Sequence, residues 1–117
     1  MKENLILEKA LTFSVRVIKL AGFLQEKKQR VIADQVLRSG MSIGANIAES
    51  DYASSKADFV NKFKIAEKEA GETAYWLRVL CKSELIDSKQ FESLFADIQE
   101  LQRMIGSSIK TIKNNNN

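Results

Sequence analysis

The chain has 117 residues, a length that fits one domain with a core of its own. It contains no proline and only five glycines, which favours long helices and argues against an all-β fold with its many turns. The net charge is +3 and the pI is about 9.0, a balance too mild to imply nucleic-acid binding by itself.

Helix one is predicted from about Glu3 to Glu26. Apolar residues recur at helical spacing along it: Ile6, Leu7, Ala10, Phe13, Val17, Leu20, Ala21 and Leu24. Leu11, Val15 and Ile18 widen this surface well beyond the roughly 100° that a bundle core needs. We expect the surplus to form a subunit interface. The alternative is that other helices of the same chain cover it.

Helix two is predicted from about Gln29 to Tyr52, and it carries three small residues at four-residue spacing, Gly40, Gly44 and Ala48. Glycine inside a helix costs about 1 kcal/mol relative to alanine, so we expect this strip to permit close approach of another backbone. Another face carries a polar stripe: Arg38, Ser42, Asn46 and Glu49. Such a stripe can satisfy its own hydrogen bonds when partly buried, so this helix is interpreted as packed on most sides.

Helix three is predicted to begin after Ser55, which with Asp58 resembles a capping box, and to end near Lys82. One of its faces repeats at intervals of three and four residues, as a core face does: Phe59, Phe63, Ala66, Ala70, Thr73, Leu77 and Leu80. Because the middle of this face is small, we expect it to meet the glycine strip of helix two.

A second face of helix three combines two carboxylates with an indole: Glu69, Glu72 and Trp76. One hypothesis is a recognition surface with Trp76 as its main contact. The hypothesis that we favour pairs Glu69 or Glu72 with Arg38 of helix two, while Trp76 packs in a groove between helices. A carboxylate beside a tryptophan loses part of its hydration and needs such a cation.

A third face of helix three is basic: Lys64, Lys68, Tyr75, Arg78 and Lys82. Four cations and one aromatic ring on one face suit phosphate contacts combined with base stacking. The alternative is an ordinary solvated helix face. This stripe is the best candidate for nucleic-acid binding in the sequence.

Helix four is predicted to start at a cap formed by Asp87 and Gln90, and its apolar positions have the cleanest helical period in the chain: Phe91, Leu94, Phe95, Ile98, Leu101, Ile105, Ile109 and Ile112. Four long helices joined by short turns predict an all-α, antiparallel up-down-up-down four-helix bundle. We expect a single domain over residues 1–113 and a disordered asparagine tail over residues 114–117.

The residues that usually carry catalysis are missing. Histidine is absent, which removes the commonest general base and the commonest metal ligand. Glu69 and Glu72 lack the imidazole partner that di-iron bundles use, and no glycine-rich phosphate loop is present. The single cysteine, Cys81, has no histidine to activate it. We therefore predict a protein that is not an enzyme and that uses no metal or cofactor.

The compartment predicted from the sequence is the cytoplasm. One cysteine allows no intramolecular disulfide, and its apolar neighbours predict a buried free thiol at Cys81. The first residues lack the pattern of a signal peptide. No segment has the roughly 18 consecutive apolar residues that a membrane span needs, so we expect no membrane partner.

Two motifs occupy the middle helices. Helix two reads Arg38-Ser39-x-x-Ser42-Ile43-x-x-Asn46-Ile47-Ala48-Glu49. Helix three has Phe59 and then reads Ile65-Ala66-x-x-Glu69-Ala70-x-Glu72-Thr73-x-Tyr75-Trp76-Leu77. Over about residues 5–112 the chain resembles the four-helix bundle proteins of the 23S rRNA intervening-sequence family. It departs from them at Ser50, where the family usually has glycine, and at Glu69, where many members have serine.

The resemblance implies a bacterial antiparallel four-helix bundle that assembles into a homopentameric ring. The family is named for reading frames inside insertions in large-subunit ribosomal RNA genes. A related group, the accessory variability protein of diversity-generating retroelements, is a basic pentameric barrel that binds nucleic acid and a reverse transcriptase. By position, the resemblance implies structural or subunit-interface roles for five polar residues: Arg38, Ser42, Asn46, Glu49 and Glu72. We group Glu69 and Trp76 with this polar motif.

These observations lead to two functional hypotheses. The first is a non-enzymatic, homo-oligomeric helical bundle that acts as a scaffold or as a weak RNA- or DNA-binding protein through the basic stripe. The second is a protein–protein interaction module with no nucleic-acid role, which uses a ring surface or the Trp76 face.

Overall fold

A computed structural model describes residues 2–115 of the chain. They form four helices, α1 (Lys2–Glu26), α2 (Arg30–Glu49), α3 (Lys56–Lys82) and α4 (Ser88–Asn114), with a short 3₁₀ turn at Ser50–Tyr52 between α2 and α3. Residues 2–115 contain no strand. The fold is all-α and consistent with a four-helix bundle, with overall dimensions of 51 × 22 × 20 Å.

One apolar core runs between the four helices, and it is built from the faces that helical periodicity predicts. The largest fully buried side chains come from every helix: Phe13, Val17, Val36, Ile43, Phe63, Leu77, Ile98 and Leu101. Phe59, Phe91 and Phe95, also predicted for the core, are only partly buried and pack against its edge. The two pairs Phe59–Phe63 and Phe91–Phe95 stack with ring centroids 5.0 and 4.9 Å apart.

The helices are arranged so that α1 lies beside α2 and α4, and diagonally across the bundle from α3. Ion pairs span two of the seams. At the α1–α4 seam, Lys9 contacts Glu100 at 2.7 Å and Arg16 contacts Asp97 at 2.6 Å. The hydrogen bond from Lys9 to Glu100 raises the pKa of Lys9 above its usual value.

The glycine strip of α2 faces α1, so the expectation that it meets α3 is wrong. A Cβ atom added at Gly40 would lie 2.8 Å from both Cγ atoms of Val17, and one added at Gly44 would lie 3.4 Å from the Cβ of Ala10. The small residues of α3 meet a different part of α2, because the Thr73 hydroxyl donates to Ser39 Oγ at 2.9 Å. Helical spacing places the strip beside the core face but does not say which neighbour lies there.

The two predicted N-terminal caps are confirmed. Ser55 Oγ accepts a hydrogen bond from the backbone N–H of Asp58 at 3.0 Å. Asp87 and Gln90 form a complete capping box, in which each side chain accepts from the other residue's backbone N–H. The end of α2 differs from prediction, because the α-helix stops at Glu49 and the next three residues tighten into the 3₁₀ turn.

Two helices end in the same unusual way. Lys28 after α1 and Glu84 after α3 both have φ = 63°, a left-handed conformation that usually selects glycine. The residue after each one donates a backbone hydrogen bond to the carbonyl five positions earlier. The distances are 2.9 Å from Gln29 N to Leu24 O and 3.0 Å from Leu85 N to Leu80 O. This is the Schellman pattern, and it satisfies the last carbonyls of each helix.

Three remaining predictions concern the tail, the cysteine and the membrane. Helix α4 extends to Asn114, and residues 116 and 117 of the predicted tail lie outside the described residues. Cys81 is a free thiol, as predicted, but it is half-buried because it lies at the margin of the core. Among residues 2–115, no helix combines the length and the apolar character that crossing a bilayer requires.

Candidate nucleic-acid interface

The basic stripe lies on the outer face of α3, which we define by its five predicted residues: Lys64, Lys68, Tyr75, Arg78 and Lys82. All five are exposed to solvent. From the first to the last, the stripe extends about 27 Å along the helix at 1.5 Å per residue. Its exposure follows from the core face on the opposite side of α3, where Phe63, Ala70 and Leu77 are buried.

The carboxylates of α3 lie outside the sector that these five side chains occupy. At 100° per residue the five side chains fall within about 80° of the helix circumference, and no Asp or Glu of α3 falls in that sector. The nearest acidic residue of α3 on the helical projection is Glu67, which is exposed about 20° outside this sector. Glu72 lies about 40° outside the other edge and is occupied by bonds to Arg38 and Trp76. The outer face of α3 therefore presents four cations with Glu67 at one edge, and it keeps a net positive charge of the kind that attracts phosphate.

Tyr75 is the aromatic group of the outer face, and 59% of its surface is exposed. Its ring and that of Trp76 make a T-shaped contact, with centroids 5.3 Å apart and an angle of 64° between the planes. An open depression of about 540 Å³ begins at Tyr75 and is lined by Arg78, Val79, Lys82 and Ser83. An exposed ring beside cations can stack on a nucleobase while the cations contact phosphate.

Behind the outer face, Arg38 of α2 holds both carboxylates of the second α3 face. Its guanidinium lies 3.3 Å from Glu69 and also contacts Glu72, and Trp76 Nε1 donates to the same Glu72 carboxylate at 2.9 Å. The pairing hypothesis is therefore confirmed, and Trp76 is half-buried. The Arg38 side chain is 50% exposed, so its loss should cost less than the roughly 3–5 kcal/mol expected for a fully buried pair.

The rest of the polar motif of α2 bonds locally or to α3. Ser42 Oγ donates to the carbonyl of Arg38 at 2.8 Å, and Asn46 Nδ2 donates to the carbonyl of Ser42 at 2.8 Å. Glu49 pairs with Lys62 of α3 at 3.0 Å. Sequence reasoning missed Lys62, although its position thirteen residues after Glu49, across one short turn, was a usable signal.

The surplus apolar surface of α1 is left open by the other helices. Leu11, Val15 and Ile18, which we call the outer face of α1, are 58%, 48% and 52% exposed. The alternative that the same chain covers them is therefore wrong. One turn after Ile18, a Cβ added at Gly22 would meet no atom within 4 Å, so the backbone is open to a close approach there.

No cluster of three or more His, Cys, Asp or Glu side chains in the described part of the chain is arranged to hold a metal ion. The polar groups that do converge are the Arg38, Glu69, Glu72 and Trp76 side chains, which are bonded to one another. Their arrangement stabilises the contact between α2 and α3.

Comparison with known proteins identifies a family and a solved structure to which the chain is similar. The family model described as 23S rRNA-intervening sequence protein matches residues 2–107. A crystal structure from Bacteroides thetaiotaomicron VPI-5482, described as a protein with unknown function from the S23 ribosomal protein family, is 49% identical in sequence with a TM-score of 0.91. The match covers 94% of this chain and 99% of that one. None of the curated proteins compared with the chain matches it.

Proposed function

Because the chain belongs to the 23S rRNA-intervening sequence protein family, we propose that it is a non-enzymatic, homo-oligomeric helical bundle that binds RNA or DNA weakly and acts as a scaffold. The observation that carries the proposal is the outer face of α3, where four exposed cations flank an exposed tyrosine within a sector of about 80° that contains no carboxylate of α3. This face contacts the phosphate backbone, and such contacts supply most of the non-specific affinity for nucleic acid.

The proposed assembly is a homopentameric ring of antiparallel up-down-up-down bundles. The antiparallel order is supported by the pairing of Arg16 with Asp97 and Lys9 with Glu100, and by that of Arg38 with Glu69 and Glu49 with Lys62. Self-association is supported by the outer face of α1, whose exposed leucine, valine and isoleucine have no partner within the described chain. A second copy of the chain is the occupant that we propose for this face.

Assembly and binding reinforce each other in this proposal. A single helix face with four cations binds nucleic acid weakly, whereas a closed ring repeats the same face once per copy. Linked weak contacts raise the overall affinity without any new contact, because each later contact is intramolecular. We propose the same general role as that of the accessory variability protein of diversity-generating retroelements, and we place the protein in the bacterial cytoplasm.

Charge reversal on the outer face of α3 tests the nucleic-acid role. Lys64→Glu combined with Lys68→Glu should abolish retention of RNA and DNA on a filter at low salt. Lys19→Glu combined with Lys110→Glu is the matched control, because these exposed lysines of α1 and α4 give the same change in net charge. Unchanged retention by the first variant, or equal loss in both, would remove the assignment.

The exposed apolar face of α1 also favours a second candidate, a protein–protein interaction module with no nucleic-acid role. Its distinguishing test is a pull-down with the Lys64→Glu, Lys68→Glu variant after nuclease treatment. A partner that is still captured, and is lost when Val15 is replaced by Glu, would support this candidate over the nucleic-acid role.

A further inference from the structure

Tyr75 stands between two open spaces on the outer face of α3. On its N-terminal side the residue one turn earlier is Gly71, where an added Cβ would meet no atom within 4 Å. Helical side chains lean toward the preceding turn, so the tyrosine ring borders this gap. On its C-terminal side lies the 540 Å³ depression lined by Arg78, Val79, Lys82 and Ser83. The ring therefore has free space before and after it along the helix.

The ring is also supported from within the bundle. Trp76 meets it edge to face, and Trp76 is in turn hydrogen bonded to Glu72, which pairs with Arg38 of α2. This chain of contacts limits the motion of a side chain that is 59% exposed. A pre-oriented ring loses less conformational freedom when a flat group stacks on it.

Cations flank the ring on both sides. Lys68 precedes Tyr75 by seven residues and Lys82 follows it by seven, so each lies about 10.5 Å from it along the helix axis. Lys64 and Arg78 add a further positive charge on each side. A backbone of phosphates that follows α3 can thus be neutralised before and after the ring.

From this geometry we propose that the outer face of α3 selects single-stranded over double-stranded nucleic acid, by stacking an unpaired base on Tyr75. This inference rests on the proposed function. In a duplex the base faces are covered by neighbouring base pairs, and only base edges and phosphates are accessible. In a single strand the base faces are free, and stacking on an aromatic side chain adds to the phosphate contacts.

Gly71 supports the same inference. A glycine in the middle of an exposed helix face weakens the helix, and neither a packing contact nor a left-handed backbone explains it here. A gap beside the ring is the property that any larger residue at this position would remove. On this proposal, the missing side chain at Gly71 leaves that space free for a stacked base.

The test measures fluorescence anisotropy with an unstructured oligonucleotide of about 20 nucleotides, alone and annealed to its complement, each as RNA and as DNA. We expect at least about tenfold tighter binding to the single strands. Tyr75→Leu should reduce single-strand affinity roughly five- to 150-fold and change duplex affinity by less than about twofold. Tyr75→Phe should keep the preference, because it retains the ring.

Two further variants complete the design. Gly71→Leu fills the gap while favouring the helix, so it should also weaken single-strand binding in a protein that folds well. Tyr52→Leu removes the other tyrosine, which is exposed in the 3₁₀ turn outside the stripe, and should have no effect. The emission of Trp76, the sole tryptophan, should change on binding a single strand and not on binding a duplex.

The outcomes separate the two proposals. If the unmodified protein binds single strands and duplex with equal affinity, and Lys64→Glu with Lys68→Glu abolishes both, the inference is overturned. The proposed function then stands. An equal loss for both probes in Tyr75→Leu would also overturn it. Absence of binding to every probe would overturn both proposals. A preference seen only with RNA or only with DNA would identify which single strand the face accepts.

Discussion

Two helices on opposite corners of the bundle, α1 and α3, have outer faces of opposite character. The outer face of α1 is apolar, with Leu11, Val15 and Ile18 about half exposed, whereas the outer face of α3 is basic. Each also carries an open glycine, Gly22 on α1 and Gly71 on α3, with no packing neighbour. By contrast, the inner faces of both helices are fully explained by the common core.

Folding of a single chain accounts for neither outer face. An apolar surface in water favours another apolar surface, and a row of unpaired cations favours polyanions. Because the two helices are diagonal, one face can be occupied without obstructing the other. Self-association and nucleic-acid binding can therefore be tested separately, by variants confined to one corner.

The largest expected effect comes from placing a charge on the outer face of α1. Val15→Glu should reduce the particle mass measured by light scattering from near five times 13.2 kDa to 13.2 kDa, because a carboxylate would be desolvated at the interface. Val31→Glu is the matched control, since Val31 is 79% exposed on the first turn of α2 and should leave the mass unchanged. A Val15→Glu protein of unaltered mass would exclude α1 from the interface.

Removing the contact between Arg38 and α3 should weaken the packing of α3 on α2 and leave the outer face of α3 intact. Arg38→Gln removes the cation shared by Glu69 and Glu72, and we expect the free energy of unfolding to fall by about 1–2 kcal/mol, a value discounted for the half-exposed guanidinium. Urea denaturation followed by Trp76 emission measures it. Lys62→Gln breaks one contact, to a Glu49 carboxylate that is 58% exposed, and should cost less than about 1 kcal/mol. Similar losses in the two variants would contradict the assigned anchor.

Replacing glycine by alanine should change the free energy of unfolding in opposite directions inside and outside the bundle. Gly40→Ala forces a Cβ against the stiff, buried Val17, so overpacking of about 1–3 kcal/mol should outweigh a gain of about 1 kcal/mol in helix propensity. Gly71→Ala has open space and should stabilise the fold by about 0.4–1 kcal/mol. Midpoints of urea unfolding report both. A stabilising Gly40→Ala would show that α1 and α2 can separate at no cost.

The smallest effects concern a feature that the two helices share. Lys28→Gly and Glu84→Gly each replace a left-handed non-glycine residue at the end of α1 or α3. Each should raise the free energy of unfolding by roughly 0.5–1 kcal/mol, which a slightly higher melting temperature would show. Ser83→Gly is the control, because Ser83 has φ = −84° and its hydroxyl bonds the carbonyl of Leu80. Stabilisation by all three would point to a cause other than the backbone conformation.

Much of the fold follows from periodicity and capping. Residues such as Ile43, Phe63 and Ile98 are buried where a 3.6-residue repeat puts them, and Ser55 and Asp87 cap the helices that they precede. The pairing of Arg38 with the α3 carboxylates was also predictable, because a partly desolvated carboxylate requires a cation.

Other features depend on which surfaces meet. Periodicity located Gly40 on its helix but not the neighbour that it faces, and it showed surplus apolar residues on α1 but not whether anything covers Val15. The turns at Lys28 and Glu84 carry no glycine signal, so their left-handed conformation is invisible in the sequence. The open spaces on either side of Tyr75 are visible only in the three-dimensional structure.

The groups along the outer face of α3 are arranged asymmetrically, so this face has a direction. Two lysines and a gap precede Tyr75, whereas an arginine, a lysine and a depression follow it, so the two ends of the outer face differ. A nucleic-acid strand also has unlike ends. On the proposed role, the strand would settle in one 5′-to-3′ sense along the helix. In a cyclic assembly every copy would present the same sense, and a strand wound around the ring would advance in a single rotational direction.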